Sequence, residues 1–248
     1  MASHHIQGRT VAMPVEIRDA TACAATYLVR ADAVRAVLAY CDLDVAEVLP
    51  GKALCTLAFI RYDEGDLGSY NEFGVAFSVR PPDDRRRRTR GPVSGLRDVL
   101  AAVSGMFVHW LPVDQRFTME AGRAIWGFPK ELAQIDLRLS SPYKRCLLRK
   151  DDRLVLDLLI RPGVPVVAAR TPMDAYSHLD GVTRRTRWHI RPHALRTRPG
   201  GALVRLGNHP IAKELSELGL PKRALATVTV SGAALSFEEP RSMPCHRR

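Results

Sequence analysis

The sequence predicts a β-dominated α+β fold, in one domain over residues 1–248. Several segments alternate apolar and polar residues with the period of a half-buried strand, whereas few have the spacing of a helix. Neither a shift in composition nor a long linker divides the chain. Hydrophobic residues make up 46% of the 248 residues and charged residues 25%, as in an ordinary globular protein.

The N-terminal third of the chain predicts one short helix and a pair of strands. Residues 1–10 are polar, and we expect them to be loose. Asp32 is a candidate N-cap, because apolar residues recur at helical spacing directly after it. Residues 54–62 and 73–79 alternate as strands do, and we expect them to pair with each other.

Residues 80–96 form the most basic stretch of the chain and predict a solvated loop. The run Arg85–Arg90 lies between a Pro-Pro-Asp-Asp segment and a Gly-Pro pair, both typical of loops. The net charge of +11 would permit a nucleic-acid partner. Aromatic residues do not interleave with the arginines, however, so the stacking platform of single-strand binders is missing and we do not expect nucleic acid as a partner.

The middle of the chain predicts a strand, a helix and an abrupt stop. Residues 105–113 alternate as a strand that contains His109. Asp114 is a candidate N-cap for a helix over 115–125, which a glycine and a proline then end. Lys130 follows this stop directly, where the helix gives way to the next strand.

Most of the remaining chain predicts strands. Two alternating segments flank a polar turn at 150–153 and indicate a hairpin. The expected elements of this half are strands at 132–139, 143–149, 154–160, 182–192, 202–207 and 226–237, and a short helix at 211–218.

Cysteine usage and segment composition indicate the compartment and the cofactors. No apolar run approaches the roughly 18–20 residues of a membrane span, and the N-terminus lacks the pattern of a secretory signal. The five cysteines are widely spaced without a Cys-x-x-Cys pair, which favours free thiols in a reducing cytoplasm. The eight histidines form no paired-ligand motif, and no glycine-rich phosphate loop occurs. We therefore expect a cytoplasmic protein with no membrane partner, no metal and no organic cofactor.

Lys130 is the strongest candidate for a chemical role, because it lies in apolar company. It follows Trp126, Phe128 and Pro129, and lysine is among the residues least often fully buried. If the segment enters a core, burial penalises the ammonium and favours the neutral amine, a nucleophile that condenses with carbonyl compounds. Alternatively, the lysine stem packs against the aromatic residues while the ammonium reaches water.

Three segments of the chain match, in the same order, the pattern of one known family. Residues 120–131 contain a Gly-Arg pair followed by an aromatic residue, a proline and Lys130. Gly68–Glu72 reads Gly-Ser-Tyr-Asn-Glu, which matches a Gly-x-Tyr-x-Glu segment, and 209–222 matches a closing segment. Together they resemble the acetoacetate decarboxylase family, and the resemblance covers about residues 28–238.

The resemblance implies a fold and a pair of catalytic residues. The fold is a closed, cone-like antiparallel β-barrel with a few short helices, whose interior holds the lysine. Lys130 corresponds to the Schiff-base lysine, and Glu72 to a carboxylate of the same pocket. The implied partners are a small keto acid and further copies of the chain in a homo-oligomer, and the chemistry needs no cofactor.

Four further residues are candidates for substrate binding by the same resemblance. Trp126 and Phe128 would keep the pocket dry. His109 stands at the spacing expected for a residue near the pocket. Arg18 is a candidate for the arginine that orients a substrate carboxylate, if a short insertion is allowed.

Two positions depart from the family pattern. Glu131 stands where the decarboxylases have a second lysine, and Leu57 where they have a second carboxylate. If Lys130 lies on a strand, Glu131 points to the opposite face, so activation of the amine would rest on burial alone.

The reaction therefore has more than one interpretation. The first is a decarboxylase that acts on a β-keto acid through a Schiff base. The second keeps the Schiff base but uses it for aldol condensation, dehydration or retro-aldol cleavage of a keto compound. The third, from another class, is a non-catalytic basic module that binds nucleic acid or an acidic protein.

Overall fold

The computed structural model describes residues 2–41, 43–80, 105–167 and 171–243. Residues 81–96 of the predicted arginine-rich loop lie outside these ranges, whereas Arg80 ends a strand. The single domain over residues 1–248 stays a prediction.

The described residues form mostly strands. The helices are α1 (Ala31–Val37), α2 (Arg116–Trp126) and α3 (Pro210–Glu217). The strands are β1 (Ser3–Ile6), β2 (Arg9–Ala12), β3 (Val15–Arg30), β4 (Asp44–Val45), β5 (Glu47–Leu49), β6 (Lys52–Gly65), β7 (Tyr70–Arg80), β8 (Gly105–Val113), β9 (Lys130–Leu132), β10 (Gln134–Arg138), β11 (Lys144–Lys150), β12 (Arg153–Ile160), β13 (Val164–Val166), β14 (Thr171–Leu179), β15 (Val182–Arg191), β16 (Ala194–Pro199), β17 (Ala202–Leu206), β18 (Ala226–Ser231), β19 (Ala234–Phe237) and β20 (Arg241–Ser242). In this part of the chain, no helix is long and apolar enough to cross a membrane.

Seven strands close into a barrel, which confirms the predicted fold class. Their order around the barrel is β3, β19, β15, β14, β8, β7 and β6, and the pairing of β3 with β6 closes the ring. Neighbouring strands are antiparallel except β8 and β14, which pair in parallel. The 16-residue strand β3 is long enough to pair with β19 near its start and with β18 beyond its midpoint.

Two apolar clusters occupy opposite faces of the barrel wall. The alternation of side chains along β6 and β7 sends Phe59, Phe73 and Phe77 outward, where they pack against a four-stranded sheet in the order β10, β11, β12 and β17. The inner cluster takes side chains from all seven barrel strands and from α2: Val15, Tyr62, Tyr70, Leu111, Ala175, Trp188, Phe237 and Ile125. The inner cluster therefore fills the end of the barrel that α2 covers.

The expectation that residues 1–10 are loose is wrong. β1 and β2 form an antiparallel hairpin in which Ser3 pairs with Ala12. Gln7 and Gly8 both have positive φ angles, 48° and 75°, as a two-residue hairpin turn requires. Ile6 and Val11 anchor the hairpin in the inner cluster. The mostly polar composition of this segment did not indicate that these two apolar side chains are buried.

The elements around α2 follow the sequence closely, with one correction. Helix α2 begins and ends within one residue of the predicted 115–125, and Gly127 ends it in the left-handed conformation. Asp114 is not the N-cap, because its carboxylate accepts hydrogen bonds from the backbone and side chain of Asn71. The predicted last strand at 226–237 is divided by Gly232 into β18 and β19. The barrel strands β3 and β14 and the strand β16 were not predicted.

Candidate active site

The backbone after α2 delivers Lys130 to the barrel interior. Gly127, with a φ of 64°, reverses the chain at the end of the helix. Three residues later the chain joins the barrel wall as β9, where Lys130 pairs in parallel with Leu111 of β8. The Lys130 side chain is 4% exposed, so the burial anticipated from its apolar neighbours is present.

Gly122 gives the lysine stem its path beside α2. A Cβ atom at residue 122 would lie 2.4 Å from Cδ and 2.6 Å from Cε of Lys130, well inside contact distance. The next residue is Arg123, whose guanidinium donates a hydrogen bond of 3.2 Å to the Lys130 carbonyl oxygen. The Gly-Arg pair therefore positions the lysine in two ways. Gly122 leaves space for its side chain, and Arg123 binds its backbone.

Glu72 is the direct partner of the lysine. Its Oε2 lies 2.6 Å from Lys130 Nζ, and both side chains are 4% exposed. Its other oxygen, Oε1, accepts a 3.0 Å hydrogen bond from the Tyr62 hydroxyl. The structure thus brings the two predicted catalytic residues together inside the barrel.

Two stacked tyrosines form the floor beside this pair. The rings of Tyr62 and Tyr70 lie 4.4 Å apart, and Lys130 Nζ lies 5.2 Å from the centre of the Tyr70 ring. Burial, followed by the nearby charge of Glu72, raises the pKa of both hydroxyls well above the usual range. Both therefore stay protonated at neutral pH, and the Tyr62 hydroxyl is the donor to Glu72.

The carboxylate changes the predicted basis of activation. Burial alone favours the neutral amine, whereas a carboxylate at 2.6 Å attracts the ammonium. An uncharged Lys130 then requires that its proton pass to another group, and Glu72 is the nearest acceptor. Activation of the amine would then depend on the pair, and not on burial by itself.

A narrow cavity adjoins the pair. The cavity volume that protein atoms leave unoccupied is about 300 Å³. The lining residues are mostly aromatic: Tyr62, Leu67, Tyr70, Glu72, Leu111, Trp126, Phe128, Lys130, Trp188 and Phe237.

Trp126 and Phe128 lie where the sequence places them, in the cavity wall. Their rings are stacked with centres 6.2 Å apart. The Trp126 indole N–H donates to the Glu238 carbonyl oxygen at 3.0 Å, which fixes that ring. Both side chains are buried, consistent with a role in excluding water.

The structure does not bring Arg18 to the cavity, so that prediction is wrong. Its guanidinium lies on the outside, 2.6 Å from Glu64 and 2.9 Å from Asp66. The register of β3 shifts between Ile17 and Ala20, and the neighbouring Ile17 takes the inward position. A sequence pattern could not have located this irregularity.

His109 also lies away from the cavity, because strand β8 contains a bulge. The register against β7 shifts between Val75 and Ala76, opposite His109. The imidazole Nε2 lies 2.6 Å from Glu214 Oε1, and the ring packs 5.4 Å from Phe77 on the outer face. His109 is therefore a hydrogen-bonded interior histidine and not a pocket residue.

The two departures from the family pattern both lie outside the cavity. Glu131 points to the face opposite Lys130, where its Oε2 accepts a 3.1 Å hydrogen bond from Trp110 and lies 3.6 Å from Lys150. Leu57 packs in the outer cluster. The strand alternation predicted for Glu131 is confirmed.

Sequence reasoning missed Tyr62, Trp188 and Phe237 as cavity residues. Tyr62 faces Tyr70 directly across the β6–β7 hairpin, so the hairpin register would have found it. Trp188 and Phe237 face each other on β15 and β19, and only closure of the barrel turns that face toward the lysine. Within the described ranges, no group of histidine, cysteine and acidic side chains could hold a metal ion.

Comparison with known proteins places this geometry in a family. The model of the family described as acetoacetate decarboxylase (ADC) matches residues 3–239. The comparison with curated proteins gave no match.

Solved structures share the fold over nearly the whole chain. An acetoacetate decarboxylase from Legionella pneumophila subsp. pneumophila str. Philadelphia 1 has a TM-score of 0.71 at 18% identity, over 95% of this chain and 89% of its own. A second acetoacetate decarboxylase structure has a TM-score of 0.71 at 16% identity, over 96% and 92%. The enduracididine biosynthesis enzyme MppR, complexed with pyruvate, has a TM-score of 0.66 at 14% identity, over 96% and 93%. At these identities the likeness shows the fold.

Proposed function

Since the chain belongs to the acetoacetate decarboxylase family, we propose that it forms a Schiff base between Lys130 and a β-keto acid and releases carbon dioxide from the adduct. The observation that carries this proposal is the buried amine of Lys130, 2.6 Å from Glu72 in an aromatic cavity. A nucleophilic lysine has to be kept from water and close to a proton acceptor, and both conditions are met.

The first half of the reaction makes the imine. Glu72 accepts a proton from Lys130, and the free Nζ electron pair attacks the ketone carbon. A proton then passes from the attacking nitrogen to the former carbonyl oxygen, so the adduct is a neutral carbinolamine. Return of the proton from Glu72 to this hydroxyl lets water leave and produces the iminium.

The second half uses the iminium as an electron sink. The bond between the α-carbon and the carboxylate breaks, its electron pair forms the enamine, and carbon dioxide leaves. A proton from water adds to the enamine carbon and restores the iminium. The hydroxide that remains adds to the iminium carbon, and collapse of this adduct releases the ketone and Lys130. The aromatic walls around Trp126 and Phe128 restrict the water that would protonate the amine prematurely.

The Tyr62 hydroxyl supports the proton transfers through Glu72. Its hydrogen bond to Oε1 leaves Oε2 directed at Lys130. Because the Tyr62 pKa is raised by burial, the hydroxyl remains a donor while Glu72 gains and loses its proton.

A second candidate reaction keeps the imine and omits decarboxylation. Glu131, in place of the family's second lysine, lies outside the cavity, so no second ammonium from this position acts on Lys130. A structural neighbour, MppR, is known in complex with the condensation product of pyruvate and imidazole 4-carboxaldehyde. An aldol condensation or dehydration of a keto compound is therefore the alternative.

The cytoplasmic location and the homo-oligomer stay predictions from the sequence.

Trapping the imine tests the proposal. The protein is incubated with acetoacetate or pyruvate, reduced with borohydride and mapped by peptide mass spectrometry, and an adduct on Lys130 is the expected result. Lys130→Ala should form none, whereas Lys213→Ala, which removes an exposed lysine, is the matched control. No adduct on Lys130 with any keto acid would refute the enzyme proposal.

The gas released separates the two reactions. Carbon dioxide from acetoacetate supports the decarboxylase, whereas condensation of pyruvate with an aldehyde, without gas, supports the alternative. Salt-sensitive binding of nucleic acid that Lys130→Ala leaves intact would instead favour the non-catalytic basic module.

A further inference from the structure

The three tryptophans of the chain differ in how their indole N–H groups are satisfied. Trp110 donates to the Glu131 carboxylate at 3.1 Å, and Trp126 donates to the Glu238 carbonyl oxygen at 3.0 Å. The Nε1 atom of Trp188 is enclosed, yet it has no partner among the described residues. A buried donor without an acceptor is costly and rare in folded proteins, which calls for an explanation.

Trp188 is fixed beside the reactive lysine. It lines the same cavity as Lys130. Its ring packs edge-on against Phe128 at 5.9 Å and lies 5.2 Å from the ring of Phe237. These ring contacts hold the partly buried indole in the cavity wall.

The cavity needs a donor for the acid group of its substrate. The carbonyl oxygen of a keto acid leaves as water when the imine forms, so the oxygen atoms that persist are those of the carboxylate. The Tyr62 hydroxyl already donates to Glu72. Arg18, the residue expected from the sequence to orient a carboxylate, pairs with surface acids.

We propose that the Trp188 indole N–H binds the carboxylate of the keto acid while Lys130 holds its former carbonyl carbon. This inference rests on the proposed Schiff-base function and assigns the residue that selects keto acids over simple ketones. Hydrogen bonds to a charged acceptor are stronger than those between neutral groups, and the iminium beside the carboxylate compensates part of its lost hydration.

Indole NMR tests the assignment directly. Protein labelled with ¹⁵N at tryptophan gives three indole signals, which Trp→Phe variants assign. Pyruvate should move the Trp188 indole proton downfield and leave that of Trp110 in place, whereas acetone, which lacks the carboxylate, should not produce the downfield shift. An unmoved Trp188 signal, or an equal response to acetone, would overturn the inference.

Adduct mapping on the same samples separates this inference from the proposed function. A Trp188 shift without a Lys130 adduct would refute the Schiff base and leave carboxylate binding in place. A Lys130 adduct without a Trp188 shift would refute carboxylate binding by Trp188 and leave the Schiff base in place.

A substitution gives an independent readout. Trp188→Phe keeps an aromatic ring and removes the N–H, so the keto acid concentration for half-maximal trapping should rise about tenfold, the loss of one hydrogen bond to a charged group. Trapping of acetone should be retained. Trp110→Phe, which removes an N–H outside the cavity, is the matched control. Equal losses for pyruvate and acetone would contradict a carboxylate-specific role.

Discussion

Replacing Gly122 with alanine should impair the chemistry far more than the fold. The added methyl would lie 2.4 Å from Lys130 Cδ, whereas carbon atoms in contact lie about 3.5–4.0 Å apart. The lysine stem therefore has to move by roughly 1 Å. A misplacement of that size costs on the order of 10²-fold in rate, so we expect borohydride trapping on Lys130 to slow by about that factor.

The expected change in stability is small because two effects oppose each other. Alanine is better than glycine in a helix interior by about 1 kcal/mol, and overpacking costs about 1–3 kcal/mol. The free energy of unfolding should therefore fall by about 0–2 kcal/mol, measured by urea titration. Ala124→Ser, one added atom on the exposed face of α2, is the control. Trapping at the wild-type rate in Gly122→Ala, or a rate loss that only follows the folded fraction, would refute the reasoning.

Three further predictions concern charged groups. Glu72→Gln should slow trapping by about 10²–10⁴-fold and lower the free energy of unfolding by about 3–5 kcal/mol, because it leaves Lys130 buried without its partner; an unchanged trapping rate would remove Glu72 from the mechanism. Arg18→Ala should leave the keto acid concentration for half-maximal trapping unchanged, since its guanidinium lies on the outside; a tenfold rise would return it to the site. Arg145 holds the pKa of Asp157 below its usual value of 3.8, so this pair stabilises the fold above about pH 4 and its contribution is lost as the pH falls further. Wild type should be more stable than Asp157→Asn at pH 6 and converge with it near pH 2 in urea titrations, whereas a constant difference would contradict the linkage.

The sequence was most informative where the determinants are local. The stop after α2, the alternation that turns Glu131 away from Lys130 and the turn between β11 and β12 each depend on a few adjacent residues. The pairing of Glu72 with Lys130 was anticipated only through the family resemblance, because the two residues lie on different strands.

The wrong predictions of site residues have two physical causes, irregularities within strands and the closure of the barrel. One bulge in β8 moves His109 to the outer face, and register shifts in β3 accompany the placement of Arg18 on the surface. Neither leaves a mark in composition or periodicity. Trp188 was missed for a related reason. The pairing of β15 with β14 and β19 decides which face of β15 is turned to the barrel interior, and the sequence does not show this pairing.

Strand β9 has only three residues, yet it is secured from both sides of the barrel wall. Lys130 is held inside by Glu72, while Glu131 contacts Trp110 and Lys150 outside. Fraying of this strand would have to break both sets of contacts at once. Local fraying of β9 is therefore disfavoured, although the cavity still gives a substrate access to the amine, and amide hydrogen exchange in β9 should be slow. Loss of reactivity on heating should then coincide with loss of the fold.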